Sequence, residues 1–291
     1  MFWHRNAMID LHLHSTASDG TNTPTRVVEL AAERNLRAIA LTDHDSVEGV
    51  EEALAAGRRL GVTVIPALEL SSETVGEEDV HLLGYGIDYE DPRLAVYLKS
   101  LRQGRVSRAQ VMVRCLRDVE IDITFAQVMA IAGEGAVGRS HVARALVAVG
   151  AAADIGDAFK RYVGRGQPCF RRKDVPEPPE AVKLLKSFKA VIVMAHPGIG
   201  RADERLPELV EAGLDGIEAH HFDHTPEQVE RFKELAHRYG LIWTGGSDCH
   251  GEGSHRGLAI GTVAVPDEAY DQIERARRRL ASGWHRKRAG L

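Results

Sequence analysis

The sequence lacks any apolar run that approaches the roughly 18–20 residues needed to span a bilayer. Its first seven residues, Met1–Ala7, also lack the apolar core of a secretory signal, and Met8 is an alternative start for the chain. We therefore expect a cytoplasmic protein without a membrane partner.

Cysteine is scarce as well. Cys115, Cys169 and Cys249 are scattered along the chain and form no CxxC pair. This odd and sparse count argues against a disulfide framework and fits a reducing compartment. P-loop and nucleophile-elbow motifs are absent too, so the chain offers neither a Walker-type phosphate cradle nor an activated serine.

Charge is unevenly distributed along the chain. The net charge of −5 argues against binding to extended nucleic acid. The segment from Val96 to Lys173, however, carries a formal charge of +8, which leaves −13 for the remainder. A basic segment inside an acidic protein suggests a small anionic ligand, and a solvated helical surface is the alternative.

Short apolar runs alternate with helical patterns. The predicted strands are Met8–His14, Ala38–Asp43, Thr63–Leu70, Val80–Gly86, Ala190–His196, Gly216–His220 and Leu241–Ser247, with Gly261–Val265 as a candidate eighth. Helical patterns between them include Thr25–Asn35, Val47–Leu60, Pro179–Phe188 and Pro226–Tyr239. Such alternation indicates parallel βα units and predicts an α/β barrel, with a doubly wound open sheet as the alternative.

The alternation stops between about Tyr89 and Pro178. That stretch contains only helical patterns and loops, with helices predicted at Leu94–Val119, Thr124–Ala132, Ser140–Val149 and Ala153–Val163. We predict a helical insertion over residues 91–174, after the fourth strand, and a barrel built from residues 8–90 and 175–291.

Histidines gather at one end of the predicted strands. Eight of the 14 lie at or just after a strand's C-terminal end: His12, His14, His44, His81, His196, His220, His221 and His250. Barrel and open-sheet enzymes build their active sites at that end. The positions of these side chains therefore predict a functional site there.

The first two histidines alternate with Leu11 and Leu13. Because residues i and i+2 of a strand share a face, His12 and His14 can chelate one metal ion, and a partly buried polar strand end is the alternative. Asp10 shares that face and is a candidate hydrogen-bond partner for a ligand.

Charged groups also end other apolar strands. Thr42-Asp43-His44-Asp45 follows an apolar run, and such groups need partners or a metal. Asp19 lies in a turn from which it can meet His44. Glu69 ends another apolar run and can bridge two cations with its two oxygens, the alternative being a simple salt bridge. Asp248 and His250 repeat the i, i+2 spacing.

Nine candidate metal ligands result: His12, His14, Asp19, His44, Glu69, His81, His196, Asp248 and His250. One zinc or manganese ion takes roughly four to six ligands, so the set predicts two or three divalent ions. Nitrogen and oxygen ligands without thiolate suit manganese, which we expect, with zinc, iron or magnesium as alternatives.

These residues form a set of motifs that resembles the polymerase-and-histidinol-phosphatase (PHP) family over nearly the whole chain outside the insertion. The motifs are His12-x-His14, Thr42-Asp43-His44-Asp45, Glu69, His81, Ala195-His196-Pro197 and Ser247-Asp248-x-His250. The resemblance implies a distorted (β/α)7 barrel with up to three metals. It implies one ion on His12, His14, Glu69 and Asp248, a second on Glu69, His81 and His196, and a third on Asp19, His44 and His250.

A subgroup of the family is also indicated. Gly138-Arg139-Ser140-His141, the run Tyr162–Gly166, and Glu218 with His221 and His224 resemble it, although proline is usual where Ser140 stands. The resemblance implies removal of the 3′-phosphate from nucleoside 3′,5′-bisphosphates, such as adenosine 3′,5′-bisphosphate, by metal-activated hydroxide. The alternatives are 5′–3′ exoribonuclease action on short 5′-phosphorylated RNA and hydrolysis of a small phosphomonoester such as histidinol phosphate. A domain without activity and an amide hydrolase also stay open.

Several residues are candidates for handling the substrate. Arg102 and Arg105 lie on one helical face with Arg108, and Arg139 and His141 can reach a site from a loop; arginine favours bidentate phosphate contacts. A solvated surface is the alternative for each. His221 and His224 are expected to orient the phosphate or protonate the leaving group, and Glu69 is expected to be catalytic as a metal bridge. The expected partner is a nucleotide bisphosphate or a short oligonucleotide.

Overall fold

The computed structural model describes residues 8–74, 79–133, 137–199, 202–251 and 259–288. The segment Met1–Ala7, and with it the question of the start residue, lies outside these ranges. Within them, no helix is long and apolar enough to cross a membrane.

One sheet organises the described chain. Its seven strands follow the order of the sequence: β1 (Met8–Leu13), β2 (Leu36–Leu41), β3 (Thr63–Glu73), β4 (Asp79–Tyr85), β5 (Val191–Met194), β6 (Gly216–His221) and β7 (Ile242–Gly246). The His14 N–H donates to the Cys249 carbonyl at 3.0 Å, and Leu13 bridges Cys249 in parallel. The end of β1 thus meets the segment after β7, and the sheet nearly closes into a barrel.

Helices follow most of the strands. They are α1 (Pro24–Glu33), α2 (Val50–Leu60), α3 (Pro92–Asp118), α4 (Phe125–Ala132), α5 (Arg139–Ala148), α6 (Ile155–Ala158), α7 (Pro178–Ser187), α8 (Leu206–Ala212), α9 (Pro226–Tyr239) and α10 (Asp267–Arg288). Local sequence sets their ends. The Thr225 hydroxyl accepts from the Gln228 N–H at the start of α9, and Gly240 ends that helix at φ +66°.

The core shows the alternation expected of a barrel strand. Ala38 and Ala40 of β2 pack in a cluster made of the strands and α10, whereas Ile39 and Leu41 pack against α1 and α2. One face of β2 therefore meets other strands and the other face meets the surrounding helices.

The fold prediction is confirmed as an α/β barrel of seven strands, with helices α3 to α6 following β4. The expectation of parallel βα units throughout is wrong at one place, because β4 pairs antiparallel with both β3 and β5. Only residues 74–78 connect β3 to β4, and a parallel crossover needs a dozen residues or more. The candidate eighth strand, Gly261–Val265, is also wrong, since Val265 makes only a single bridge, to Ile9.

The chain divides into two compact units. One comprises residues up to Leu94 and from Pro176 onward, and the other is Ala95–Val175. The second unit has a hydrophobic core of its own, which includes Met112, Leu116 and Leu146. Helix α3 begins in the first unit and continues into the second.

The cysteine prediction is wrong. Cys115 of α3 and Cys169 form a disulfide with a Cα–Cα distance of 5.5 Å, and Cys249 is free and buried. The two residues are 54 positions apart, and this spacing alone does not predict that the fold of the second unit brings them together. The scarcity of cysteine therefore no longer supports a cytoplasmic location, and that location stays a prediction.

The disulfide can be tested by counting free thiols. We expect iodoacetamide to modify one cysteine of the denatured, unreduced protein, because two thiols are consumed in the bond, and peptide mapping to place the label on Cys249. All three cysteines should react after reduction, and Cys115→Ser should expose Cys169 without reduction. Three labels on the unreduced wild type would contradict the bond.

Candidate metal centre

A single buried carboxylate lies at the centre of the cluster. Glu69 of β3 has no exposed surface, and its two oxygens face five imidazole rings, those of His12, His14, His44, His81 and His196. Its Oε2 lies 3.1–3.3 Å from nitrogens of the first three rings, and Oε1 lies 2.9 and 3.0 Å from nitrogens of the last two. Each oxygen thus faces its own set of ligand atoms.

A second carboxylate closes one side of this arrangement. Asp248, just after β7, places Oδ1 3.0 Å from His14 Nε2 and 3.4 Å from His12 Nε2. Glu69 Oε2 lies 3.3 Å from each of the same two nitrogens. The four residues are all buried, and their facing atoms lie within 4.8 Å of one another, which is a geometry that can hold a metal ion.

A third carboxylate defines an adjoining group. Asp19, on the loop after β1, places Oδ1 3.3 Å from His250 Nε2, and the His250 ring stacks on that of His14 with centroids 4.0 Å apart. Together with His44 these residues form another group that can hold an ion. All nine predicted ligands thus lie in one cluster, most of them at the C-terminal ends of strands or on the loops that follow them. Glu69 lies within β3, and the prediction that His81 lies at the C-terminal end of a strand is wrong, because β4 runs antiparallel to its neighbours and His81 lies near its start.

Strained backbone accompanies the cluster. Of the six non-glycine residues with positive φ in the described ranges, three flank or belong to it: Asp45 at +49°, His196 at +29° and Asp248 at +52°. Such conformations persist only where the surrounding structure enforces them, and they concentrate at functional sites.

Aspartates outside the ligand set hold the loops. The Asp43 carboxylate accepts from the Ser15 N–H and from the hydroxyls of Ser15 and Ser18, at 2.6–2.7 Å, and so fixes the loop that presents Asp19. Asp10 accepts from the Ser247 N–H and hydroxyl, at 2.8 and 2.6 Å, beside Asp248. Asp10 therefore holds this loop, and it also accepts at 3.5 Å from the backbone N–H of the predicted ligand His12, although it makes no bond to that ring.

The ring partner of His12 is Glu218 of β6, for which sequence reasoning assigned no role. Its Oε1 accepts from His12 Nδ1 at 3.0 Å, and its Oε2 accepts from the His196 N–H at 2.7 Å. A signal was present in the sequence, because a glutamate inside the apolar run Gly216-Ile217-Glu218-Ala219 would be buried and would need a partner.

The electrostatics of the cluster are strongly coupled. Burial would raise the pKa of Glu69, but the surrounding histidines, His44 first, hold that pKa well below its usual range. Burial would lower the pKa of His14, yet hydrogen bonds and attraction from Asp248 and Glu69 raise it to about 10. For His44 burial prevails and lowers the pKa to about 3. Where no other cation is bound, protonated imidazole rings such as that of His14 therefore balance the negative charge of the carboxylates.

The donor set fits a bound cation. Nitrogen and carboxylate oxygen atoms are ligands that zinc, manganese and iron accept. In the described structure, Nδ1 of His14 and Nδ1 of His44 are buried in the cluster without a hydrogen-bond partner. Buried polar atoms are rarely left in that state, and a divalent ion would satisfy them.

The two histidines predicted to act in catalysis differ in their surroundings. His221 places Nε2 3.4 Å from Asp248 Oδ2, at the edge of the cluster. His224 donates from Nδ1 to the Ala219 carbonyl at 2.8 Å and accepts at Nε2 from the Gly198 N–H at 3.1 Å. Backbone groups thus occupy both nitrogens of His224.

The predicted substrate residues lie in the second unit. Arg102 and Arg105 are on α3, and Arg139 and His141 are in the first turn of α5. The expected loop position is therefore wrong, and His141 lies in the helix that was predicted at Ser140–Val149. The Arg139 guanidinium lies 5.3 Å from the centre of the Phe170 ring. His141 accepts from the Gly138 N–H at 2.9 Å and thereby caps its own helix.

The chain is similar to known proteins along most of its length. Residues 10–133 match the model of the PHP domain. A 3′,5′-nucleoside bisphosphate phosphatase of Chromobacterium violaceum is 37% identical, over 85% of this chain and 88% of its own. A 5′-3′ exoribonuclease of Haemophilus influenzae is 32% identical, over 83% and 89%.

A third relative has a different activity from the first two, and a solved structure supports the fold. A phosphoribosyl 1,2-cyclic phosphate 1,2-diphosphodiesterase of Eggerthella lenta is 35% identical, over 84% of this chain and 94% of its own. The solved structure of a Chromobacterium violaceum amidohydrolase, with bound sulfate and no metal, superposes with a TM-score of 0.81 at 34% identity, covering 93% and 97% of the two chains. The likenesses extend well beyond the matched domain and show that this chain is a hydrolase of the PHP family of phosphoesterases.

Proposed function

We propose that this phosphoesterase is a divalent-metal-dependent phosphatase that removes the 3′-phosphate of nucleoside 3′,5′-bisphosphates and leaves the 5′-monophosphate. The observation that carries the proposal is the Glu69 carboxylate, whose two oxygens face separate sets of imidazoles. The relative with that activity, at 37% identity, supports the choice of substrate.

The cluster offers ligands for up to three ions, with manganese proposed first. The proposed sets are His12, His14, Glu69 and Asp248; Glu69, His81 and His196; and Asp19, His44 and His250. Donor atoms of the first and third sets lie in compact groups, the third including His14 as well. When bound, such ions lower the pKa of water toward about 7 and neutralise charge on a phosphoryl group.

The remaining residues handle the substrate and its protons. His221, at the edge of the cluster, is the better candidate to donate to a phosphoryl oxygen or to the leaving alkoxide. His224 would first have to release a backbone group. Substrate binding by Arg102, Arg105, Arg139 and His141 stays a prediction.

An exposed aromatic ring supports a substrate that carries a base. Phe222 directly follows His221 and is 51% exposed, and Ile199, 38% exposed, lies three residues after His196. The bond from the Gly198 N–H to His224 joins the two loops that carry them. The other exposed large apolar residues of the described ranges lie on or just after helices. Stacking on an aromatic side chain suits any nucleobase.

A substrate panel tests the proposal. Manganese-loaded enzyme should release phosphate from adenosine 3′,5′-bisphosphate and form AMP at a kcat/KM at least tenfold above that for histidinol phosphate or ribose 1,2-cyclic phosphate 5-phosphate. A 5′-phosphorylated dinucleotide serves as the exoribonuclease substrate. Preference for the dinucleotide, or no turnover of the bisphosphate by enzyme with verified metal content, would overturn the assignment.

The central carboxylate gives the first mutational prediction. Glu69→Gln should lower kcat about a hundredfold or more, because a neutral amide bridges two cations poorly. Phosphate release under saturating manganese measures the loss. Glu73→Gln is the matched control, since Glu73 is buried at the end of the same strand and is not part of the cluster. Activity of Glu69→Gln within about threefold of the wild type would refute the bridging role.

Phe222 gives a prediction about the base. Phe222→Ala should raise KM for adenosine 3′,5′-bisphosphate about tenfold, since stacking contributes ~1–3 kcal/mol per base. KM for methyl riboside 3,5-bisphosphate, which has no base, should stay unchanged. Tyr239→Ala, at the end of α9, is the control for loss of an exposed ring. Equal changes for both substrates would argue against stacking.

The pKa of His14 gives a prediction about protons. With a pKa of about 10 in the metal-free protein, its ring is protonated near neutral pH. Coordination needs a ring nitrogen free of its proton, so metal uptake should release at least one proton and should weaken as the pH falls. Calorimetry in buffers of different ionisation enthalpy measures this release, and His14→Gln should reduce it. A heat that is independent of the buffer would contradict the prediction.

A further inference from the structure

Glu218 occupies an unusual position for a carboxylate. It lies within β6, has no exposed surface, and commits each oxygen to a different partner on a different element. Oε1 accepts from the ring of His12 on β1, and Oε2 accepts from the backbone N–H of His196, just after β5. One side chain therefore joins the C-terminal ends of three strands.

The first bond selects the tautomer of His12. A neutral imidazole carries one ring N–H proton. Glu218 Oε1 lies 3.0 Å from His12 Nδ1 and therefore favours the tautomer with that proton on Nδ1. The lone pair then lies on Nε2, which faces Glu69 Oε2 at 3.3 Å and Asp248 Oδ1 at 3.4 Å. Carboxylates that hold ligand histidines in this way orient the ring and increase its basicity.

The second bond holds a strained turn. His196 has φ +29°, a conformation that a residue with a side chain rarely adopts. Its N–H is fixed by Glu218 Oε2 at 2.7 Å, and its ring Nε2 lies 3.0 Å from Glu69 Oε1. The carboxylate of Glu218 thus fixes the backbone from which this ring reaches Glu69.

Direct metal binding by Glu218 is disfavoured by the same contacts. His12, Glu218 and His221 lie close enough to surround an ion. That position would need the lone pair of His12 on Nδ1, which would remove it from Nε2 and from the group around Glu69. His221 Nδ1, in addition, already accepts from the Asp223 N–H at 3.1 Å.

We propose that Glu218 is a positioning residue that couples two metal positions, by holding His12 of the first and His196 of the second. The inference rests on the ligand sets proposed above. The third set, Asp19, His44 and His250, makes none of these contacts and is independent of Glu218. Loss of this carboxylate should therefore weaken metal binding at the first two positions and leave metal binding at the third position unchanged.

The test is metal retention by Glu218→Gln. A glutamine has nearly the same shape, but its amide nitrogen donates, so it can accept from only one of the two partners. Apo proteins are equilibrated with buffered free manganese, and bound metal is counted by plasma mass spectrometry. Whichever partner the glutamine keeps, the other is released, so the variant should retain at least one ion fewer than the wild type, and its affinity at the affected position should fall about 10–100-fold. Glu73→Gln should match the wild type.

A second variant and a stability measurement keep the test decisive. Glu218→Asp retains the charge but is shorter by one methylene, so it cannot reach both partners and should also lose at least one ion. Thermal unfolding of the apo proteins verifies that they are folded. Unchanged retention in both variants, or equal loss at all three positions, would overturn the inference. Fewer than two ions in the wild type would instead refute the proposed metal site itself.

Discussion

A carboxylate buried among five imidazoles is the constraint on which this structure depends. Removing an ionised carboxylate from water costs several kcal/mol unless opposite charge and hydrogen bonds replace the solvent. Glu69 finds those partners on β1, on β4 and on the segments after β1, β2 and β5, so these parts of the chain must meet around one point. The nearly closed sheet meets this requirement, because it brings the segment after β7, with Asp248, beside β1.

Around the ligand atoms lies a second layer of buried carboxylates. Asp43 holds the loop of Asp19, Asp10 holds the loop of Asp248, and Glu218 holds both His12 and the turn at His196. Because these carboxylates are removed from water, each stabilises the fold only when all of its hydrogen-bond partners are present. Removal of one partner leaves a buried charge without compensation and destabilises the fold strongly. The positive φ angles at Asp45, His196 and Asp248 show the backbone strain that this layer sustains.

Much of the site could be predicted from the sequence, because its signals are local. An apolar strand that ends in histidine or in a carboxylate residue has no packing reason to do so, and this pattern singled out His12, His44, Glu69 and Asp248. Two other features were missed, the first although its signal is local and the second because it depends on distant parts of the chain. The antiparallel β4 follows from the short connection after β3, and the Cys115–Cys169 bond depends on packing within the second unit.

The roles of individual carboxylates were the least predictable part. Asp10 and Glu218 both occupy buried strand positions, and nothing in either local sequence says which one faces the ring of His12. The answer depends on the register of β1 and β6 within the sheet, and the ladders that β1 forms with β2 and β6 forms with β7 both contain irregularities. A one-residue change of register moves a side chain to the other face of a sheet, so local patterns cannot assign such contacts.

The most direct test of this account is a crystal structure of the manganese-loaded protein, with anomalous scattering recorded at the manganese edge. We predict at least two ions, about 3.5–4 Å apart, with one oxygen of Glu69 on each. A single ion, or ions that leave Glu69 without a metal contact, would contradict the central role of this carboxylate.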